Sequence, residues 1–173
     1  MTPRPTSEAL VAAAAALIGD RPALVADVGT GSGAIAVALA ATLPRAEIVA
    51  TDTSPAAVAL ARANVRRLGL ADRVTVHRGD LLEPIEPPLD LVVANLPYLP
   101  EEEALRHPDL AGEPADAVFA SGDGLGPYRR LVAASRARLR PEGSLVIQLR
   151  GRVLVASRQE LTALAATLAV SRR

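Results

Sequence analysis

The chain has no cysteine, no tryptophan and no lysine, and only one methionine, one phenylalanine, two tyrosines and two histidines. Without cysteine, disulfide frameworks, thiolate zinc sites and cysteine nucleophiles are excluded, and two histidines leave no metal site to expect. Nineteen basic residues, all arginine, balance nineteen acidic ones, so no whole-molecule field draws the protein toward nucleic acid or anionic lipid. No long apolar run is present either. The stretch Leu10 to Ile18 behind Arg4 has the outline of a signal peptide, but Glu8 borders it, Gly19 and Asp20 follow without a small-residue cleavage pattern, and it is too short for a bilayer. It is expected instead to be a helix over 8–18 capped by Ser7, in a cytoplasmic protein without a membrane anchor.

What the sequence does have is size and order. With 173 residues, 50% of them hydrophobic, it can bury a core as one globular domain. Residues 1–20 read as linker and leading helix, 21–150 as the core, and 151–173 as a terminal helix. From Leu24 onward strand and helix signals alternate. Strands are expected over 24–28, 47–51, 74–78, 89–94 and 144–149, the last after a Pro141-Glu142-Gly143 turn. Helices are expected over 34–43, burying Ile35, Ala38, Leu39 and Leu43, and from Pro55 behind a Ser54 cap to a Gly69 stop, burying Val58, Ala61, Val65 and Leu68. Two more follow over 128–139 and 157–168, the last opening on Ser157 and Glu160 at capping-box spacing. Helical crossovers make neighbouring strands parallel, so the expected fold is α/β with a doubly wound open sheet whose ligands lie at the carboxyl ends of its strands. The fifth strand would be an exposed edge unless Arg152 to Ala156 or a second subunit covers it.

The first strand runs through Asp27-Val28-Gly29-Thr30-Gly31-Ser32-Gly33 directly into a helix, which brings backbone close to a ligand at a helix amino terminus. Gly29-x-Gly31-x-x-Ala34 also satisfies the dinucleotide fingerprint, so the glycine spacing serves a nicotinamide site and an S-adenosylmethionine site equally. Asp52 after the second strand can accept from ribose hydroxyls, and Asp80 after the third from an adenine amino group, with Leu81 beside it. Asp27 tips the balance, because a carboxylate ahead of the loop suits a ligand with an ammonium and a sulfonium and repels a pyrophosphate.

The fourth strand leaves the sheet through Asn95-Leu96-Pro97-Tyr98. The Asn95 side-chain oxygen and the Leu96 main-chain oxygen can each accept one hydrogen of a planar amine, aiming its nitrogen at a methyl group. Pro97 holds Leu96 out of the helical region, and Tyr98 offers a face on which an amide or a base can stack. Asn95 borders both the donor and the acceptor.

These residues resemble the S-adenosylmethionine-dependent methyltransferases with an Asn-Pro-Pro-Tyr signature, and among them the peptide chain release factor glutamine methyltransferases of the HemK type. Pro3-Arg4-Pro5 with Glu8, the loop from Asp27, Glu113-Pro114, Gly122-Asp123-Gly124-Leu125 and Tyr128-Arg129-Arg130-Leu131 carry the likeness. The resemblance implies a class I, Rossmann-like methyltransferase domain using S-adenosylmethionine. It further implies methylation of a glutamine amide in the Gly-Gly-Gln loop of a release factor, with Asn95, Pro97 and Tyr98 presenting that amide. The sequence departs from the family at Leu96, which replaces the first proline and gives a variant similar to the ribosomal RNA adenine dimethyltransferases. Gln148 and Arg150 stand where the family has an acidic and a small residue. The family's helical amino-terminal domain and two closing strands have no counterpart in the reading.

Three other outcomes compete: methylation of an adenine amino group in RNA or DNA, an inactive cofactor-binding relative, and a nicotinamide dehydrogenase. His77 and His107 are expected to be structural or solvated, Glu101, Glu102 and Glu103 to form an acidic first helical turn, and Arg129, Arg130, Arg136, Arg138 and Arg140 to mark a wet face.

Overall fold

A computed structural model describes residues 5–86, 88–100, 119–120 and 122–170. Thr2 to Arg4, Glu101 to Glu103, His107 and Glu113-Pro114 lie outside the described residues. The elements run α1 (Pro5–Ile18), β1 (Ala23–Val28), α2 (Ala34–Thr42), β2 (Ala46–Asp52), α3 (Pro55–Arg67), β3 (Val74–Arg78) and β4 (Leu89–Ala94). They continue through β5 (Leu99–Pro100), β6 (Phe119–Ala120), α4 (Gly126–Arg138), β7 (Leu139–Leu149), β8 (Arg152–Ser157) and α5 (Leu161–Val170).

The main sheet has the order β3-β2-β1-β4-β7-β8, parallel except for β8. This is the doubly wound arrangement expected, with the order reversing between β1 and β4. The central strands β1 and β4 are buried along nearly their whole length because helices cover both faces, whereas β3, at the edge, alternates and ends on exposed His77 and Arg78. On one face α1, α2 and α3 bury Leu10, Ile18, Leu39, Val58 and Val65 against Val25, Ile48, Leu91, Val93 and Val146. On the other, α4 and α5 bury Tyr128, Leu131, Leu161 and Leu168 against Val28, Val92, Ala94, Leu145 and Ile147.

Several boundaries differ from those expected, each for a local reason. α1 begins at Pro5, which suits a first turn, so Ser7 lies inside the helix rather than at its cap. Its Leu10, Ala14 and Ile18 recur every four residues and are all buried. In α2 the buried stripe is Ile35, Ala36, Leu39 and Ala40, so Ala38 turns partly outward. α3 starts at Pro55 with the Ser54 hydroxyl accepting from Ala57 N–H, as the sequence indicates, but Leu68 is its C-cap and is exposed. α4 begins earlier, at Gly126, with Pro127 in its first turn.

β7 begins at Leu139, well before the expected Ser144. Leu89 pairs with Leu139 and Leu91 with Ser144, so the Pro141-Glu142-Gly143 stretch is an irregularity within the ladder rather than a turn ahead of the strand. Arg150 and Gly151 both have positive φ, 50° and 76°, and form the two-residue hairpin loop that turns Leu149 back to Arg152. β8 thereby covers the edge of β7, the first of the two alternatives raised for that edge. The final helix begins at Leu161, because Ser157 is the last residue of β8. The Ser157–Glu160 pair still forms: the Glu160 carboxylate accepts from Ser157 N–H at 2.8 Å and from its hydroxyl at 2.7 Å. Among the described residues no helix is long and apolar enough to cross a membrane.

Candidate active site

The register brings the carboxyl ends of β1, β2 and β4 to one level, with Val28 beside both Thr51 and Ala94, and Asp52 beside Arg78 at the end of β3. The glycine loop, Asp52, Asp80 and the Asn95–Tyr98 turn therefore leave the sheet along a single edge. That edge lies at the topological switch point between β1 and β4, where open α/β sheets bind ligands.

The loop is tied to β2. Thr51 O accepts from Gly29 N–H and Thr30 N–H, both at 2.9 Å, and Asp52 Oδ2 accepts from Gly31 N–H at 2.9 Å. Asp52 Oδ1 takes Ser54 N–H at 2.9 Å, so one carboxylate holds the loop and the entry to α3 together. α3 adds Asn64, whose Nδ2 donates to Ser32 O at 2.9 Å. Gly33 has φ 81° and a Cβ there would lie 3.1 Å from Ala61 Cβ, which is why the start of α2 packs so closely on α3.

Asp27 is fully buried beneath this loop. Its Oδ2 accepts from the Thr30 hydroxyl at 2.6 Å, while Oδ1 is buried with no partner. Burial pushes the carboxyl up to about 6, against the pull of the Thr30 hydroxyl and of the nearby Ala36 backbone N–H, which forms no hydrogen bond of good geometry with Oδ1. A buried acceptor without a donor is costly, and a cationic group placed beside it would offset that cost. At Gly31, by contrast, an added Cβ would meet nothing within 4 Å, so the loop faces open space there. An orphaned anionic acceptor, a loop open on its outer side and a carboxylate at the tip of β2 together fit a nucleoside ligand carrying a cationic amino-acid portion.

Past β3 the backbone turns at Leu81, which has φ 50° and whose carbonyl accepts from the Thr51 hydroxyl at 2.8 Å. Asp80, half-exposed, is ion-paired with Arg130 of α4. Asn95 is half-buried, Leu96 buried, and Pro97 and Tyr98 half-buried, with Leu81 and Tyr98 packed on the second core cluster. Leu96 reaches under the glycine loop: a Cβ on Gly29, at φ 72°, would lie 2.6 Å from Leu96 Cδ2. The candidate donor and acceptor residues are thus contiguous, through Asp27–Thr30, Gly31–Asp52, Thr51–Leu81 and Gly29–Leu96.

Two groups at this edge were not singled out as site residues from the sequence. The Tyr128 hydroxyl lies against the backbone of Leu96 and of Gln148. Gln148, buried at the end of β7, has an Oε1 with no partner. The available signal was scarcity, because in a chain with two tyrosines one on a buried helix face has to find a partner for its hydroxyl. Of the five arginines expected to mark a wet face, Arg130, Arg136 and Arg140 are exposed, whereas Arg129 and Arg138 are half-buried. Arg129 forms a two-point pair with Asp123 and donates to Leu168 O, Arg130 holds Asp80, Arg138 donates to Ile85 O, and Arg140 belongs to β7 and faces Asp90 at 3.6 Å. His77 is exposed on β3.

The family model described as methyltransferase small domain matches residues 6–107. The chain belongs to the methyltransferase small domain family. Among curated proteins, a release factor glutamine methyltransferase from Moorella thermoacetica is 48% identical over 127 residues, covering 72% of this chain and 45% of the relative. One from Gloeobacter violaceus is 42% identical over 153 residues, covering 86% and 54%. The chain spans about half the length of these relatives. Among solved structures, a ribosomal protein L11 methylase from Lactobacillus delbrueckii subsp. bulgaricus superposes with a TM-score of 0.60 at 22% identity, covering 84% of this chain and 61% of that one. That likeness shows a shared Rossmann-like methyltransferase fold.

Proposed function

We propose that residues 1–173 act as one methyltransferase domain that transfers a methyl group from S-adenosylmethionine to the side-chain amide of a protein glutamine, the partner being a peptide chain release factor. The observation that carries the reading is the junction of two devices at one sheet edge. The loop of Asp27, Gly29, Thr30, Gly31, Ser32 and Gly33 lies directly against the Asn95-Leu96-Pro97-Tyr98 turn. The relatives named as release factor glutamine methyltransferases support the choice of acceptor.

When bound, the donor supplies a methyl group activated on a sulfonium. The chain's own residues do the binding and aiming. Asp27 Oδ1 would receive the ammonium of the methionine portion, and Asp52, whose oxygens keep lone pairs beyond the two N–H groups they already hold, would accept from the ribose hydroxyls. Asp80 and Leu81 would hold the adenine, with Arg130 sharing the Asp80 carboxylate. At the acceptor end, Asn95 Oδ1 and Leu96 O would each take one hydrogen of the glutamine amide and so orient its nitrogen, while Pro97 fixes the turn and Tyr98 supports the flat amide. As the N–C bond forms the S–C bond breaks, and the nitrogen gives up one hydrogen as a proton to solvent.

The test is to incubate the protein with labelled S-adenosylmethionine and, separately, a release factor, a Gly-Gly-Gln peptide and ribosomal RNA, then to locate the label by mass spectrometry. Label on glutamine is expected. Label only on adenine transfers the case to a nucleic-acid acceptor, and donor binding with no label on any acceptor marks an inactive domain.

A further inference from the structure

We propose that Tyr128 is a positioning residue for the acceptor, its hydroxyl holding the Leu96 peptide groups in the place from which the Leu96 carbonyl receives the incoming amide. This rests on the reading of Asn95–Tyr98 as the acceptor clamp.

Tyr128 is completely buried on α4, in the core cluster that also contains Leu96, Leu131 and Ile147. Its hydroxyl oxygen accepts from Leu96 N–H at 3.1 Å and lies 2.7 Å from Leu96 O and 2.6 Å from Gln148 O. Ala94 pairs with Ile147 at the last rung of the β4–β7 ladder, so Leu96 and Gln148 belong to the chain just past that rung. One hydroxyl therefore fastens the turn leaving β4 to the tip of β7, where the ladder no longer does so.

The valence of the hydroxyl gives this fastening a second property. A phenol carries one hydrogen, and here two carbonyls lie within reach of it. Whichever carbonyl does not receive it must look elsewhere for a donor. When an acceptor N–H engages Leu96 O, the phenolic hydrogen turns to Gln148 O, so the buried carbonyls remain satisfied without moving the turn. Leu96 N–H stays on the hydroxyl oxygen in either state and keeps the residue in place. That contact depends on a residue other than proline, because a proline at position 96 would have no N–H to donate. Burial raises the phenol's pKa, so it retains its hydrogen throughout the ordinary pH range.

Tyr128→Phe keeps the ring in the core and deletes only the hydroxyl. Hydrogen exchange at Leu96 N–H should quicken by about tenfold or more while the 29–33 amides are unaffected, since a lost protecting bond raises local opening. S-adenosylmethionine affinity by calorimetry should stay within about twofold, and kcat on a Gly-Gly-Gln peptide should fall by about tenfold or more with a smaller change in KM, as a lost orienting contact requires. Leu131→Val, a core change on the same helix, serves as a control that lowers Tm without reducing kcat. Unchanged kcat in Tyr128→Phe overturns the proposal, as does an equal loss of kcat in Leu131→Val at matched Tm. If the wild-type protein labels no glutamine, the acceptor reading fails on its own account. The exchange measurement still decides the clamp, and rapid exchange of Leu96 N–H in the wild-type protein overturns it even if the variant does not fold.

Discussion

Gly29 and Leu96 meet where the glycine loop touches the turn that leaves β4, so closely that a single added carbon on Gly29 would lie 2.6 Å from Leu96 Cδ2. The contact makes the two halves of the site one packed unit. Gly29→Ala should lower stability by about 1–3 kcal/mol from its positive φ alone, with the clash adding to that. Because Leu96→Ala removes the clash, the double variant should be more stable than the sum of the single losses, by about 0.5–3 kcal/mol. Urea unfolding of the four proteins measures this, and additive losses would contradict the contact.

Asp27 should make stability fall as pH rises. Its folded pKa of about 6 lies above the ordinary 3.8, so between those values the folded protein keeps a proton that the unfolded chain has released. Stability contributed by the protonated form is fully present below the lower value and is lost as pH climbs through the upper one. The shift corresponds to about 3 kcal/mol. Asp27→Asn should accordingly gain on the wild-type protein between pH 4 and pH 7 by about that amount in chemical denaturation. A difference that does not change with pH would contradict it. Donor affinity should move oppositely in the wild-type protein, strengthening as Asp27 ionises.

The Arg130–Asp80 pair should contribute little to folding. The side chains are 61% and 35% exposed, and ion pairs of that kind are worth about 0–1 kcal/mol. Arg130→Ala should leave Tm within a few degrees, whereas Asp80→Ala should weaken S-adenosylmethionine binding. Calorimetry and thermal unfolding separate the two, and a large Tm loss in Arg130→Ala would show that the pair is structural.

Much of the fold was legible because local signals agreed with the buried pattern. β3 and β4 have the bounds that their apolar runs suggest, and α3 lies between the cap at Ser54 and the stop at Gly69 because serine, proline and glycine act there through their own backbone chemistry. β8 was less visible. Its hairpin turns on Arg150 in the left-handed region, where arginine is an uncommon occupant, and the usual asparagine-glycine signal is missing. The start of β7 was hidden behind Pro141 and Gly143, which read as a turn but sit in a ladder irregularity. At the site, the glycine loop and the strand-end acids were readable from spacing. The Tyr128 hydroxyl on Leu96 was not, since it joins residues of two different elements and no periodicity links them.

Donor uptake and transfer should be separable by side chain. Asp52→Ala removes the acceptor that also holds Gly31 N–H and Ser54 N–H, so donor affinity should fall first and stability with it, by about 1–2 kcal/mol. Equilibrium binding of S-adenosylmethionine, followed beside Tm, checks this, and unchanged affinity would remove Asp52 from the donor site.

The most direct measurement compares wild-type protein with Asn95→Ala in two paired assays, calorimetric binding of S-adenosylmethionine and methyl label on the glutamine of a Gly-Gly-Gln peptide. The account predicts equal donor affinity, with label in the wild-type protein and essentially none in the variant. Undiminished label in Asn95→Ala would contradict it.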